Sequence, residues 1–245
     1  MIVVPAIDIR AGKCVRLKRG DFAYETVFDD DPAAPAARWV AEGAEALHVV
    51  DLDGARVGHS DNRRAVESVI AEARRKPGVV VELGGGIRDL AAVEHWLAVG
   101  VDRVIIGTAA VRRPEVVEQA AAAYPGRVWV GIDARDGIVA TDGWTRQARM
   151  TAVELVPQVV DRGAAGIVYT DIERDGLQTG VNVSATAEFA RVAGVPVYAS
   201  GGVASADDIT ALRDSRSSGI AGVIVGRALY DGSTKLKDLL AVAAG

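Results

Sequence analysis

The sequence has very little cysteine, few aromatic residues and no long apolar run. Cys14 is its one cysteine, which excludes an internal disulfide and a thiolate zinc site. No apolar run approaches the roughly 18 residues that span a bilayer. The start MIVVPAIDIR carries neither a basic leader nor a small-residue cleavage site, so we expect a soluble, unprocessed, cytoplasmic chain. A net charge of −5 with scattered basic residues argues against a nucleic-acid surface, although it permits a small anionic substrate.

What is present is the composition of a globular chain. With 245 residues, 49% hydrophobic and 25% charged, and with 27 glycines but 8 prolines, the sequence excludes disorder, collagen and coiled coil. The length fits one α/β barrel or two small domains equally well.

Short β-branched apolar runs alternate with longer helical patterns along the whole chain. The predicted strands cover residues 2–7, 46–50, 79–83, 103–106, 128–132, 166–169, 195–199 and 222–225, and predicted helices include 32–42, 62–76, 90–99, 114–123 and 206–213. Pro157 lies in the fifth helix and predicts that this helix is kinked or starts late. Eight such units predict an α/β protein with a closed parallel (β/α)8 TIM barrel, with an open doubly wound sheet as the alternative.

An internal repeat divides the chain at about its middle. The first-half segments EGAEALHVVD, GGGI, IIGTA and AIDI match RGAAGIVYTD, SGGV, IVGRA and GIDA in the second half, 116 to 125 residues later. Preserved order at about half the chain length predicts duplication of a half-barrel. We therefore expect pseudo-repeats of roughly residues 1–122 and 123–245 that close as one domain, 1–245.

Two aspartates are equivalent under this repeat. Asp8 ends the first predicted strand and Asp133 the fifth, and these strands lie opposite each other in an eight-stranded barrel. Carboxylates facing each other across the mouth suit a reaction in which one group removes a proton and another donates one. The alternative role is that of a helix cap or turn residue, as we expect for Asp61 and Asp89.

Glycine clusters follow two opposite pairs of predicted strands. They are Gly84, Gly85, Gly86 and Gly107 in the first half, and Gly201, Gly202 and Gly226 in the second. Glycine lets a backbone approach a ligand closely, and the unpaired N–H groups at the start of the helix that follows can bind a phosphate. Two equivalent clusters predict a substrate with one phosphate at each end and the carboxylates between them.

Side-chain alternation links two further polar residues. Thr170 ends the sixth predicted strand on the same face as Val168, and the repeat gives His48 that face too. His48 is therefore either a hydrogen-bonded core residue or a site residue. His59 and His95 fall in a loop and a helix, and three scattered histidines without a carboxylate cluster predict no metal site.

Two other features bear on the chemistry. No predicted strand ends in lysine, which disfavours Schiff-base aldolase chemistry. Trp144 lies in a polar loop beyond the fifth strand, where it either stacks on a planar ligand or anchors the loop.

The sequence resembles the HisA-type isomerases of histidine biosynthesis, which are duplicated (β/α)8 barrels. The motifs that carry the resemblance are PAIDIRAGKCVRLKRGDF, HVVDLDGA, ELGGGIRD, VIIGTAAV, GIDARDG, DGW, TDIERDG, ASGGV and VIVGRALY, which span nearly the whole chain in family order. The resemblance implies an Amadori rearrangement that converts a bis-phosphorylated aminoaldose (ProFAR), linked to an imidazole carboxamide, to its aminoketose. It implies no cofactor and no metal, and we expect the chain to act as a monomer.

The resemblance also implies roles for individual residues. Asp8 is similar to the family's proton acceptor, Asp133 to its proton donor, and Thr170 to a residue that hydrogen-bonds near the reacting sugar. Arg16 resembles an anion-binding arginine and Trp144 a stacking residue for the aromatic part of the substrate. The candidate substrate-binding residues are Arg16, His48, Gly85, Gly86, Gly107, Thr108, Trp144, Gly176, Gly201, Gly202, Gly226 and Arg227.

Two relatives of this family have different activities. The cyclase of the same pathway carries lysine eight residues after its first aspartate, where this chain has Arg16. The bifunctional relative that also isomerises phosphoribosylanthranilate has arginine where this chain has Asp142, so we expect a single-substrate isomerase. A barrel that only binds phosphorylated sugars and a flavin-dependent barrel remain the competing hypotheses.

Overall fold

A computed structural model describes residues 1–18, 20–58 and 62–245. His59 and Asp61, for which the sequence predicts a solvated loop residue and a helix cap, lie outside the described residues. The strands are β1 (Ile2–Arg10), β2 (Lys13–Lys18), β3 (Asp21–Asp29), β4 (Ala46–Asp51), β5 (Val80–Gly84), β6 (Arg103–Ile106), β7 (Val128–Arg135), β8 (Ile138–Thr141), β9 (Arg146–Thr151), β10 (Ile167–Asp171), β11 (Val197–Ser200) and β12 (Ile220–Val225). The α-helices are α1 (Ala33–Glu42), α2 (Leu52–Val57), α3 (Arg63–Ala73), α4 (Leu90–Val99), α5 (Thr108–Arg112), α6 (Glu115–Ala123), α7 (Ala152–Val160), α8 (Val183–Ala193), α9 (Ala206–Asp214), α10 (Arg227–Tyr230) and α11 (Leu236–Ala244).

Eight of the described strands are parallel and close on themselves. Their order is β1, β4, β5, β6, β7, β10, β11 and β12, and β12 pairs with β1 from Ile2 opposite Gly222 to Pro5 opposite Val225. Helices lie between successive strands, so the (β/α)8 barrel prediction is confirmed and the open sheet is excluded. The barrel strands are apolar because both of their faces are buried.

The strands β1 and β7 each run three residues further than predicted. β1 continues to Arg10 and β7 to Arg135, because each pairs with an antiparallel hairpin, β2–β3 after β1 and β8–β9 after β7. The prediction that Asp8 and Asp133 end their strands is therefore wrong by two residues. Each carboxylate lies where a barrel strand leaves the barrel and enters its hairpin.

The helix α7 begins at Ala152, so the late start suggested by Pro157 does not occur. Thr151 and Glu154 form a capping box in which the Thr151 side chain accepts from the Glu154 N–H and Glu154 accepts from Thr151. This cap provides hydrogen-bond acceptors for backbone N–H groups at the first turn, and the helix continues through Pro157. Asp89 caps α4 by accepting from the Ala92 N–H, as expected.

The core has two apolar layers. The larger lies between the barrel and its helices, and the smaller fills the barrel interior with Val4, Ala6, Ala46, Ile105, Trp129, Val168, Tyr198 and Ile224. The filled interior confines any ligand to the mouth, at the carboxyl ends of the strands. Within the described ranges, no helix has the length and apolarity to cross a bilayer.

Candidate active site

A cavity of about 230 Å³ opens at the carboxyl end of the barrel. It brings together side chains from β1, β2, β4, β7, β10 and the turn between β8 and β9. Predicted site residues that line it are Asp8, Arg16, His48, Gly85, Gly86, Gly107, Thr108, Asp133, Trp144 and Thr170. Its polar groups come from both halves of the chain.

Asp8 forms an ion pair with Arg16. Arg16 Nη1 donates to Asp8 Oδ2 over 2.5 Å, and both side chains are largely buried. The hairpin register explains the contact, since β2 folds back antiparallel onto β1 with Val15 opposite Asp8. Burial alone would lower the pKa of Arg16, but the carboxylates of Asp8 and Asp175 outweigh it and raise that pKa, so Asp8 faces a permanent cation.

Asp133 lies on the opposite side of the cavity. Burial raises its pKa above the ordinary aspartate value, while hydrogen bonds from Trp144 and Thr170 and the charge of His48 act to lower it. Trp144 Nε1 donates to Asp133 Oδ2 over 2.7 Å. Thr170 on β10 lies opposite Asp133 in the pairing of β7 with β10. The environments of the two aspartates therefore differ: Asp8 has an arginine partner and Asp133 has uncharged donors.

The turn that carries Trp144 is held against the first half of the barrel. The Asp142 N–H donates to Thr108 Oγ1 over 2.9 Å, and the Asp142 carboxylate forms an ion pair with Arg112. The Trp144 ring lies against Gly20, where an added Cβ would come within 2.4 Å of the ring. Trp144 thus packs inside the mouth over Asp133, and Thr108 contacts this turn.

Asp175 was not predicted as a site residue. It lines the same cavity as Asp8 and Asp133, and burial together with the charges of these two residues raises its pKa to about 6, against the lowering effect of Arg16 and Arg227. The repeat concealed it, because its first-half counterpart is Ala55. Its presence in the motif TDIERDG was the one available signal.

The remaining predicted residues line a small adjoining cavity. These are Gly176, Gly201, Gly202, Gly226 and Arg227, and Arg16 reaches both cavities. A Cβ at Gly226 would lie 1.1 Å from Arg16 Nη2, so the guanidinium rests directly on this glycine. Arg227 Nε is buried without a hydrogen-bond partner in the described part of the chain.

The paired glycines also have a packing role. Gly85 has φ +103°, and a Cβ there would lie 2.1 Å from the Asp51 carbonyl oxygen. Gly201 has φ +95°, and a Cβ there would lie 2.6 Å from the Asp171 carbonyl oxygen. Glycine is required at both positions because a larger residue would collide with the neighbouring backbone of Asp51 or Asp171. Gly107 is different, because a Cβ there would meet nothing within 4 Å.

His48 is buried at the floor of the cavity. Its Nδ1 lies 2.7 Å from Glu82 Oε1, and its side chain also lines the cavity. His48 is therefore a hydrogen-bonded residue of the barrel interior, and its role as a site residue stays a prediction. Glu82 was not predicted, since it interrupts an apolar strand. Across residues 1–18, 20–58 and 62–245, no group of three His, Cys, Asp or Glu side chains could hold a metal ion. The expectation that no cofactor or metal is needed stays a prediction.

Comparison with known proteins places this site in a family. The family described as "Histidine biosynthesis protein" matches residues 2–235. A protein of Rhizorhabdus wittichii is 53% identical over 245 residues, with 100% of this chain and 99% of the relative covered. A protein of Rhodopseudomonas palustris is 52% identical over 242 residues (99% and 97% covered), and one of Geotalea daltonii is 48% identical over 242 residues (99% and 97% covered).

Each of these three relatives carries the same name. It is 1-(5-phosphoribosyl)-5-((5-phosphoribosylamino)methylideneamino)imidazole-4-carboxamide isomerase. The match extends over nearly the full length of both chains and includes every element that contributes to the cavity. This chain therefore belongs to the histidine biosynthesis protein family.

Proposed function

We propose that this chain is a sugar isomerase that converts the bis-phosphorylated aminoaldose ProFAR to its aminoketose by an Amadori rearrangement in histidine biosynthesis. The observation that carries the proposal is that Asp8 and Asp133, from opposite strands, line one cavity in contrasting environments. Aldose-to-ketose isomerisation requires one group that accepts a proton and another that donates one. Near-full-length relatives named as this isomerase support the same reaction.

The reaction needs both a proton donor and a proton acceptor at the sugar. A donor protonates the ring oxygen as the bond between that oxygen and C1 breaks, which leaves a protonated imine. A base then removes the proton from C2, and the enolamine that results takes a proton at C1 and loses the proton of its C2 hydroxyl as it becomes the ketose. Asp8 is the proposed base, because the permanent charge of Arg16 beside it stabilises a carboxylate that is ready to accept a proton.

Asp133 is the proposed donor. Its raised pKa means that it holds its proton to a higher pH than an exposed aspartate does, as a general acid requires. Thr170 supports this group as a hydrogen-bond donor. Asp175, whose pKa is raised to about 6, is a second candidate for the same role, because it lines the same cavity.

The two phosphates are proposed to bind at opposite ends of the cavity. Gly85, Gly86, Gly107 and Thr108 would hold one, and Gly176, Gly201, Gly202, Gly226 and Arg227 the other. The buried, unpartnered Nε of Arg227 supports an anion at the second position, because a buried donor without an acceptor is costly. Arg16 lies between that position and Asp8, so it can bind a phosphate oxygen while it keeps its contact with the base.

The chain is further proposed to be a duplicated half-barrel. Asn62 Nδ2 donates to Asp51 and Asn182 Nδ2 to Asp171, each over 2.8 Å, and the second pair lies 120 residues after the first in the sequence. Gly107 and Gly226 also share one unusual backbone conformation, with ψ −107° and −105°. A superposition of the two halves in which these pairs failed to coincide would contradict the duplication.

The deciding experiment is an assay of aminoaldose-to-aminoketose conversion by protein dialysed against a chelator, without added cofactor. Asp8→Asn and Asp133→Asn should each lower kcat by at least about a hundredfold while substrate affinity changes little. Asp136→Asn, in an exposed turn at the same rim, is the matched control and should retain full activity. Retained turnover in both test variants would favour the barrel that only binds, and a yellow, flavin-containing protein would favour the flavin alternative.

Two further assays separate finer claims. If Asp175→Asn abolishes turnover while Asp133→Asn does not, the donor is Asp175. Turnover of phosphoribosylanthranilate at a comparable rate would contradict a single-substrate enzyme.

The chain is also proposed to be a cytoplasmic monomer that binds no nucleic acid, and sedimentation at the mass of one chain tests the oligomeric state.

A further inference from the structure

Three polar side chains on neighbouring strands form a connected row through the barrel interior. His48 on β4 lies in register with Glu82 on β5, and Glu82 lies in register with Arg103 on β6. We call these three residues the buried triad. Glu82 is completely buried, in the same interior that Trp129 and Tyr198 help to fill.

The triad runs from the reaction cavity toward the opposite end of the barrel. His48 Nδ1 lies 2.7 Å from Glu82 Oε1, and Glu82 Oε2 lies 3.8 Å from Arg103 Nη1. Arg103 also donates to the Tyr198 hydroxyl over 3.2 Å, and its guanidinium carbon lies 4.9 Å from the centroid of the Trp129 ring. Arg103 therefore balances the charge of Glu82 from below, while His48 contacts it from above.

The second half of the barrel supplies an internal comparison. The equivalent positions on β10, β11 and β12 are Val168, Tyr198 and Gly222, which lie in register with one another. Packing of this layer therefore does not require charge. A buried ion pair is also poor at stabilising a fold compared with apolar residues of similar size. A polar triad with a buried Glu82–Arg103 ion pair in one half alone points to a role at the site above it.

We propose that Glu82 is a positioning residue that fixes the tautomer of His48 for the isomerase reaction. A carboxylate can only accept hydrogen bonds, so its contact requires the proton of neutral His48 to be on Nδ1. The other ring nitrogen, Nε2, is then an acceptor at the floor of the cavity, where it can bind a hydroxyl group of the sugar. This inference rests on the proposed function for its substrate, but the state of the histidine ring can be measured without substrate.

The first test is NMR of the wild-type chain with ¹⁵N-labelled histidine, on the alkaline side of the ring titration. The chain has three histidines, so His48 can be assigned from the spectrum of a His48→Asn variant. The expected result is an Nδ1–H tautomer at His48. A ring protonated on Nε2 would overturn the proposal, whether or not the protein is active, and no folded Glu82 variant is needed.

The second test is a double-mutant cycle. Glu82→Gln should lower kcat by about ten- to a hundredfold, the loss expected for one hydrogen bond to a charged group, and should give a mixture of His48 tautomers. In a His48→Asn background, the same change should alter kcat by less than about twofold. Equal losses in both backgrounds would mean that Glu82 acts only on the fold.

Tyr198→Phe is the matched structural control. It removes one hydrogen bond from the same cluster without touching His48, so it should lower thermal stability and leave kcat and the His48 tautomer unchanged. A wild-type chain with no isomerase activity but with an Nδ1–H ring would refute the proposed function alone. An active chain with the wrong tautomer would refute the role of Glu82 alone.

Discussion

The Trp144 indole N–H donates to Asp133 Oδ2 over 2.7 Å. It reaches the carboxylate from a turn in which Asp142, Gly143 and Trp144 have φ of 57°, 62° and 68°. Left-handed backbone at the two residues that are not glycine costs on the order of 1 kcal/mol each. The contacts of Asp142 with Thr108 and Arg112 offset this cost, so two distant parts of the chain together hold the indole over the proposed proton donor.

This contact predicts different effects for two substitutions of Trp144. Trp144→Phe keeps an aromatic ring but removes the donor that lowers the pKa of Asp133, so that pKa should rise further. If Asp133 is the proton donor, the alkaline limb of the kcat profile should move to higher pH, because the required protonated form persists longer. Trp144→Ala also removes the ring and should raise KM. A Phe variant whose pH profile superimposes on that of the wild type would contradict the role of this contact.

Gly20 and Gly12 form a matched pair for testing the position of the Trp144 ring. Both have positive φ, 69° and 78°, but a Cβ at Gly20 would lie 2.4 Å from the ring whereas one at Gly12 meets nothing within 4 Å. Each change to alanine should cost about 1–2 kcal/mol of unfolding free energy from backbone strain. Only Gly20→Ala should also lower kcat/KM, by displacing Trp144. Equal kinetic effects from the two variants would show that the ring position is unimportant.

Gly226 and Gly107 allow the Arg16 contact to be tested in the same way. Their backbone conformations are nearly identical, yet a Cβ at Gly226 would overlap Arg16 Nη2 and one at Gly107 would meet open space. Gly226→Ala should therefore move Arg16 away from Asp8 and lower kcat/KM at least about tenfold more than Gly107→Ala does. Chemical denaturation of both variants controls for strain. Similar kcat/KM values would mean that Arg16 accommodates the methyl group without leaving Asp8.

The raised pKa of Asp175 predicts a pH dependence of stability. Its folded-state pKa of about 6 lies above the unfolded value of 3.8, so its favourable contribution is complete below pH 3.8 and is lost as the pH rises through about 6. Asparagine does not titrate. The stability of Asp175→Asn relative to the wild type should therefore increase by about 1–3 kcal/mol between pH 4 and pH 8, as measured by denaturant unfolding. A difference that is independent of pH would show that Asp175 titrates normally.

Local patterns predicted the architecture and much of the site. Alternating apolar runs predicted eight strands, whose number and order are those of the closed barrel, and the repeat related Asp8 to Asp133 and His48 to Val168. The strand prediction is confirmed because side-chain periodicity is a property of short segments, whereas the duplication and the roles of the site residues stay predictions. The carboxyl ends of parallel strands meet at one face, so the approximate location of the site follows from the strand assignments.

Other features depended on contacts that no short segment encodes. Asp175 was missed because its repeat partner is Ala55, and Glu82 because its strand otherwise reads as apolar core. The hairpins that extend β1 and β7 bring Arg16 to Asp8 and Trp144 to Asp133, and these pairings determine which carboxyl faces a cation and which faces an indole. Periodicity and repeat spacing thus predict where a carboxylate lies. Its charge state is decided by burial and by neighbours from other strands, which are defined only when the barrel closes.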